Sequence, residues 1–177
     1  MKIIFSEKCL AYGTWHVEGP ERVRKTHEIL KEKGYEFLAP NPATEEDLLR
    51  VHDDEYVWMV KKGLAEDTDT PAYENIYDYA KLSAGGAITA ADVGGFSIMR
   101  PPGHHAGRAG PALGAYTRGF CYFNNVAIAV KHLGKPTLIL DIDGHHGNGT
   151  QEIFLGDKNV KYVSLHRHPH YPGTGHV

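Results

Sequence analysis

The sequence predicts an α/β domain built on a parallel β-sheet. Short runs of continuous apolar residues occur at Phe96–Met99, Thr137–Leu140 and Lys161–Leu165. Such runs, without polar alternation, mark strands covered on both faces. Segments with helical spacing separate them, as βα units require. Polar motifs follow directly after Met99, Leu140 and Leu165, and in open parallel sheets ligands gather beyond the carboxyl ends of the strands.

Taken in order, Lys2–Phe5 reads as a short strand. A helix is expected from Pro20 to about Lys33, with proline in its first turn and Gly34 as its stop. A second helix opens at Thr44 with acidic residues in its first turn, and a third covers Asp54 to Leu64. A longer one spans Glu74 to Asp92 and ends at Gly94-Gly95; its Gly85-Gly86 pair costs helix stability but permits close backbone packing. Asn124–Leu133 is the last helix expected, between the strands at 96–99 and 137–140. No repeat or linker divides the chain, so residues 1–177 are read as one domain.

With 177 residues, 41% of them hydrophobic, the chain can bury a substantial core. A formal charge of −3 without a block of Lys and Arg speaks against a protein that holds nucleic acid by neutralising phosphates. The first apolar run breaks after Phe5, too early for a signal-peptide core or a membrane span, so a cytoplasmic protein with no membrane partner is expected. Cys9 and Cys121 offer no framework for disulfides or a thiolate metal site, and reduced thiols are expected. Histidine is the unusual component: nine of twelve lie from His104 onward.

The strongest local signal is Asp141-Ile142-Asp143-Gly144-His145-His146-Gly147-Asn148-Gly149. In extended backbone Asp141, Asp143 and His145 would share one side, offering a carboxylate and imidazole set suited to zinc. A plain polar turn capping the next helix does not need two carboxylates and two imidazoles. A second motif, Arg100-Pro101-Pro102-Gly103-His104-His105-Ala106, also follows a strand. Adjacent histidines in an extended chain point apart, so they chelate one metal poorly but suit acid–base work on two sides of a bound water or substrate oxygen. Alone, such a pair after Pro-Pro-Gly is more often an exposed loop.

These two motifs, with Gly119-Phe120-Cys121-Tyr122-Phe123-Asn124-Asn125 and Ser164-Leu165-His166, resemble in order the signature segments of the histone deacetylase superfamily, which includes acetylpolyamine amidohydrolases and acetoin-utilisation proteins. The similarity runs from about His16 to Gly175 and corresponds to the N-terminal part of the family's catalytic domain. It implies an incomplete three-layer arginase-deacetylase-like fold and a zinc-dependent deacetylase acting on acetyl-lysine, acetylated polyamines or other small amines.

By the same resemblance, Asp143 and His145 are zinc ligands, with iron(II) an acceptable alternative. His104 is the general base, held by Asp141, and His105 assists departure of the amine. Asn148 stands where some members have Asp, which should lower the proton affinity of His105. Gly119, Phe120 and Tyr171 shape a narrow tunnel, Asp69 binds substrate backbone at its rim, and Arg22 lies near a product exit. A structural potassium ion would use Asp141, Ser164 and backbone at Asp143, His145 and Leu165. The family's third zinc ligand, an Asp, and its oxyanion-binding Tyr lie downstream of the motifs seen here. His166, His168, His170 and His176 read as a polar loop rather than as substitutes. The segment His16-Val17-Glu18-Gly19-Pro20-Glu21-Arg22 lacks the family's first proline, which affects the pocket rim.

Two alternatives therefore stand beside an active deacetylase. The chain is a fragment or half of a split enzyme, completed by a C-terminal half or by self-association; or it is a non-catalytic acetyl- or metal-binding module.

Overall fold

The computed structural model describes residues 1–12 and 16–176. Strand β1 (Ile3–Ile4) lies between β2 (Phe37–Leu38) and β3 (Phe96–Ser97), parallel to both, with Ile3 opposite Phe37 and Phe96. A second parallel pair joins β4 (Thr137–Asp141) to β5 (Val160–Ser164) and sets Asp141 opposite Ser164. Among the described residues these two sheets share no strand. Helices connect the strands: α1 (Glu21–Glu32), α2 (Glu45–Leu49), α3 (Asp54–Lys61), α4 (Ile76–Val93), α5 (Asn125–Leu133) and α6 (Asn148–Phe154).

Local chemistry explains the boundaries. Thr44 and Asp47 exchange side-chain and backbone hydrogen bonds in a capping box that opens α2. Gly94, at φ +62°, closes α4 in the left-handed conformation that glycine adopts without strain. The Gly85-Gly86 pair serves close packing: a Cβ on Gly85 would stand 1.9 Å from the Asn41 carbonyl oxygen, and one on Gly86 2.6 Å from Met99 Cγ. Through this contact α4 lies against the end of β3, while its outer part packs on α5.

The main core lies among α2 to α6, around Leu48, Val57, Ala84, Ile128 and Phe154. Ile139 turns into it from β4, so one face of the β4–β5 pair is covered. The opposite face is bare: Leu138, Leu140, Val163 and Leu165 are all exposed. The expected strands and helices are present with small shifts. Three elements escape the sequence: β2, a 3-10 turn at Glu7–Leu10, and α6, which begins at Asn148 inside the second motif. Cys9 and Cys121 are free and buried.

Candidate active site

The site forms where the segments after β3 and β4 meet. Glu18, only 2% exposed, anchors the first segment by a paired hydrogen bond with Arg100, whose Nε donates to Oε1 at 2.8 Å. The Tyr12 hydroxyl also donates to Glu18, at 2.6 Å. Pro101 is held through its carbonyl, which accepts from Ser83 Oγ and Asn125 Nδ2. Gly103 allows the chain to pass under the backbone of Phe123, since a Cβ there would lie 2.4 Å from the Phe123 carbonyl oxygen.

His104 and His105 sit in a turn, and this corrects the expectation that they point apart. Their ring centroids are 4.1 Å from each other and both rings face one cavity. His104 Nδ1 lies 2.9 Å from Asp141 Oδ2, which also accepts from the Tyr162 hydroxyl at 2.9 Å. A carboxylate can only accept, so Nδ1 carries a proton, and in the neutral ring Nε2 is the nitrogen that keeps its lone pair. Burial pushes the Asp141 carboxyl up, but hydrogen bonds from His104, the Asp143 amide and Tyr162 outweigh it and hold Asp141 below the ordinary range. Gly147 makes this cluster possible: a Cβ there would stand 2.3 Å from Asp141 Oδ2 and 2.9 Å from His104 Nδ1.

His105 Nδ1 meets Asn148 Oδ1 at 2.7 Å. Asn148 is oriented by donating its amide to the Ala112 carbonyl at 2.8 Å, which leaves its oxygen to accept from the imidazole. Burial and the neighbouring His104 push His105 down to about 3, so it is neutral at physiological pH.

The backbone does not stay extended through the second motif. β4 ends at Asp141, the Asp143 amide donates to Asp141 Oδ1, and the His145 amide donates to Asp143 Oδ1, each carboxylate closing a local turn. Asp141 is thereby directed to His104, while Asp143 and His145 stand together, with His145 Nδ1 3.2 Å from Asp143 Oδ1. The expected convergence of three donors on one side is not seen. Among the described residues, no group of three or more His, Cys, Asp or Glu side chains is placed to hold a metal ion.

A cavity of about 250 Å³ opens in front of these groups, lined by both histidines, Asp143, His145, Phe120 and Tyr171, with Arg22, Arg100 and Asp69 at its margins. Gly119, at φ +48°, is required here, because a Cβ would lie 2.6 Å from His105 and 3.0 Å from Tyr171. The Tyr171 ring stands edge-on to His105 at 4.9 Å. Asp69 accepts from Thr117 Oγ1 at 2.8 Å, and burial, followed by its neighbour Asp67, pushes its carboxyl up. Arg22 reaches the same Glu18 at 3.1 Å. Ser164 and Leu165 flank the end of β4: Leu165 donates its amide to the Asp141 carbonyl, and Ser164 Oγ lies 2.8 Å from His166 Nδ1. His166 faces His146, away from the pair Asp143 and His145.

Sequence reasoning missed Glu18, Thr117 and Tyr162. Tyr162 carried a signal, since it lies two residues before Ser164 on an expected strand and therefore on the same side. Glu18 and Thr117 act through tertiary contacts with no periodic trace.

The structure thus sets a histidine–aspartate pair at the strand ends of an α/β domain, with an exposed carboxylate–imidazole pair beside it. The chain belongs to the histone deacetylase family: the family model for the histone deacetylase domain matches residues 16–177. It is 44% identical to a probable deacetylase of Archaeoglobus fulgidus, over 98% of this chain and 53% of the relative. It is 36% identical to the mouse polyamine deacetylase HDAC10, over 87% of this chain and 26% of that protein. The crystal structure of the HDA15 HD domain superposes with a TM-score of 0.81 at 36% identity, covering 99% of this chain and 58% of that one. The chain thus spans about half the length of the archaeal relative and of the solved domain.

Proposed function

We propose that this chain carries the general base and part of the metal site of a zinc-dependent deacetylase that removes acetyl groups from acetyl-lysine or acetylated amines. The observation that supports this most is the His104–Asp141 pair, which leaves His104 Nε2 as an acceptor on the cavity wall, 3.9 Å from Asp143 Oδ1.

The donors present fit part of a zinc or iron(II) site: Asp143 and His145 are a carboxylate and an imidazole within hydrogen-bonding distance of each other and half exposed. A catalytic zinc takes three protein ligands, so one must come from elsewhere. When bound, the metal supplies a Lewis acid that polarises the acetyl carbonyl and acidifies water at neutral pH. His104 Nε2 takes the proton from the attacking water, and the Asp141 carboxylate stabilises the imidazolium that results. As the C–N bond breaks, His104 returns that proton to the leaving nitrogen, so the amine departs neutral, and His105, neutral and fixed by Asn148, accepts a hydrogen bond from it. Phe120 and Tyr171 grip the aliphatic stem beside Gly119, Asp69 receives a substrate N–H at the rim, and Arg22 faces the product side. Asp141 and Ser164, with backbone carbonyls at Asp143, His145 and Leu165, form the proposed potassium site.

A second reading is favoured by the divided sheet and the bare face of β4–β5: the chain acts only with a C-terminal half, or another polypeptide, that supplies the remaining ligand and an oxyanion donor. No described helix is long and apolar enough to cross a membrane.

The test is hydrolysis of a fluorogenic acetyl-lysine substrate by the purified chain with zinc, alone and with the C-terminal half of a relative, beside His104→Ala. Turnover in either sample, lost by at least ~100-fold in the variant, supports the reading. Turnover that survives His104→Ala refutes the assigned base. Zinc-loaded, folded samples inactive in both forms favour a non-catalytic acetyl- or metal-binding module.

A further inference from the structure

The two motif histidines without a role in the reaction above, His146 and His166, face each other on the far side of the 143–147 segment. Their ring centroids are 4.7 Å apart. Both bind the stretch that follows Tyr171, one through a side chain and one through backbone. His146 Nδ1 meets Thr174 Oγ1 at 2.7 Å, and His166 Nε2 meets the Gly175 carbonyl at 3.2 Å. Because a carbonyl only accepts, His166 carries its proton on Nε2, and its Nδ1 accepts from Ser164 Oγ. Gly175 fits the gap closely: at φ +80°, a Cβ there would lie 2.6 Å from each imidazole.

We propose that His146 and His166 are positioning residues: they clamp the segment at Thr174 and Gly175 so that Tyr171 is pressed against His105 as a wall of the substrate tunnel. The rest of the loop supports this. Its beginning is fixed by the Arg167 amide donating to the Gly144 carbonyl at 3.0 Å, and its tip by the Tyr171 hydroxyl donating to the Thr117 carbonyl at 3.0 Å. Both ends of the loop are therefore tied to the segment that also carries His145. A shift of that segment moves the tunnel wall with it. The inference rests on the proposed tunnel role of Tyr171, but the geometry of the clamp does not depend on turnover.

The experiment is limited trypsinolysis of the full chain, following the Arg167–His168 cut by mass spectrometry. Removing one clamping hydrogen bond in His146→Ala or Thr174→Val should raise that cut about fivefold relative to other sites, and Thr174→Ser should restore protection. The Thr174 pair keeps the test decisive should His146→Ala fold poorly. In the sample that hydrolyses acetyl-lysine, Thr174→Val should raise KM severalfold while kcat stays within about twofold. An unchanged cut at Arg167 in folded Thr174→Val, no restoration by serine, or a fall in kcat at constant KM overturns the proposal. Absence of turnover in every sample counts against the deacetylase reading, while the cleavage result still decides the clamp.

Discussion

His105 Nδ1 donates to a neutral amide oxygen of Asn148, 2.7 Å away, rather than to a carboxylate. Burial and the adjacent His104 already hold this imidazole down to about 3, and nothing at its Nδ1 offers a negative charge to counter them. Asn148→Asp places a carboxylate there, which favours the protonated ring. The midpoint of His105, followed by its imidazole C–H resonances in NMR, should rise by roughly one to three pH units. A midpoint that stays near the wild-type value would show that the partner at position 148 does not set the charge of His105.

Protonation also governs stability elsewhere. His52 is buried, accepts the Asn124 amide on Nε2 at 2.9 Å and approaches the Gly107 carbonyl through Nδ1 at 2.9 Å. Both contacts are satisfied by the neutral ring. Burial lowers it to about 4 from the ordinary 6.5. Below pH 6.5 the unfolded chain binds a proton that the folded chain refuses, so this contribution is full above 6.5 and is lost as the pH falls toward 4. Denaturant titrations at pH 7 and pH 5 should differ by about 2 kcal/mol from this residue. His52→Gln should flatten that dependence; a slope equal to wild type would disprove the assignment.

The sequence made some of this legible and hid the rest for identifiable reasons. Thr137–Leu140 and Lys161–Leu165 announce themselves because strands of a parallel sheet are continuously apolar. β2 does not, because two residues, Phe37 and Leu38, hold no period. The polar residues beyond β4 were visible as a cluster, yet the assumption of extended backbone placed Asp141 beside Asp143 and His145. The turns closed by Asp141 and Asp143 send it to His104 instead. That pairing, across 37 residues, follows from no local spacing and came only with the family resemblance. Glu18 and Thr117 are silent because their partners are brought by the fold.

Glu18 is the hidden residue with the largest expected effect. It is almost fully buried and receives Tyr12, Arg22 and Arg100. Removing one member of a buried pair leaves the other charge uncompensated, which costs about 3–5 kcal/mol. Glu18→Ala should lower unfolding free energy by that order in urea, whereas Arg22→Ala, which removes a half-exposed side chain and leaves Glu18 paired with Arg100, should cost less than about 1 kcal/mol. Equal effects would mean that Glu18 answers mainly to Arg22 and not to Arg100.

The bare face of β4–β5 yields the last prediction. Leu138, Leu140 and Leu165 are each at least 60% exposed on one side of a parallel pair whose other side packs on the core. Parallel sheets persist with both faces covered, and an unpaired strand edge templates further pairing. The isolated chain should therefore associate at micromolar concentrations, and light scattering should report dimers or larger species. Leu138→Lys with Leu140→Lys places two like charges on that face and should restore the monomer without loss of secondary structure. If the wild-type chain is a monodisperse monomer, this face is not sticky enough to drive association. If the charged variant still associates, the contact lies elsewhere.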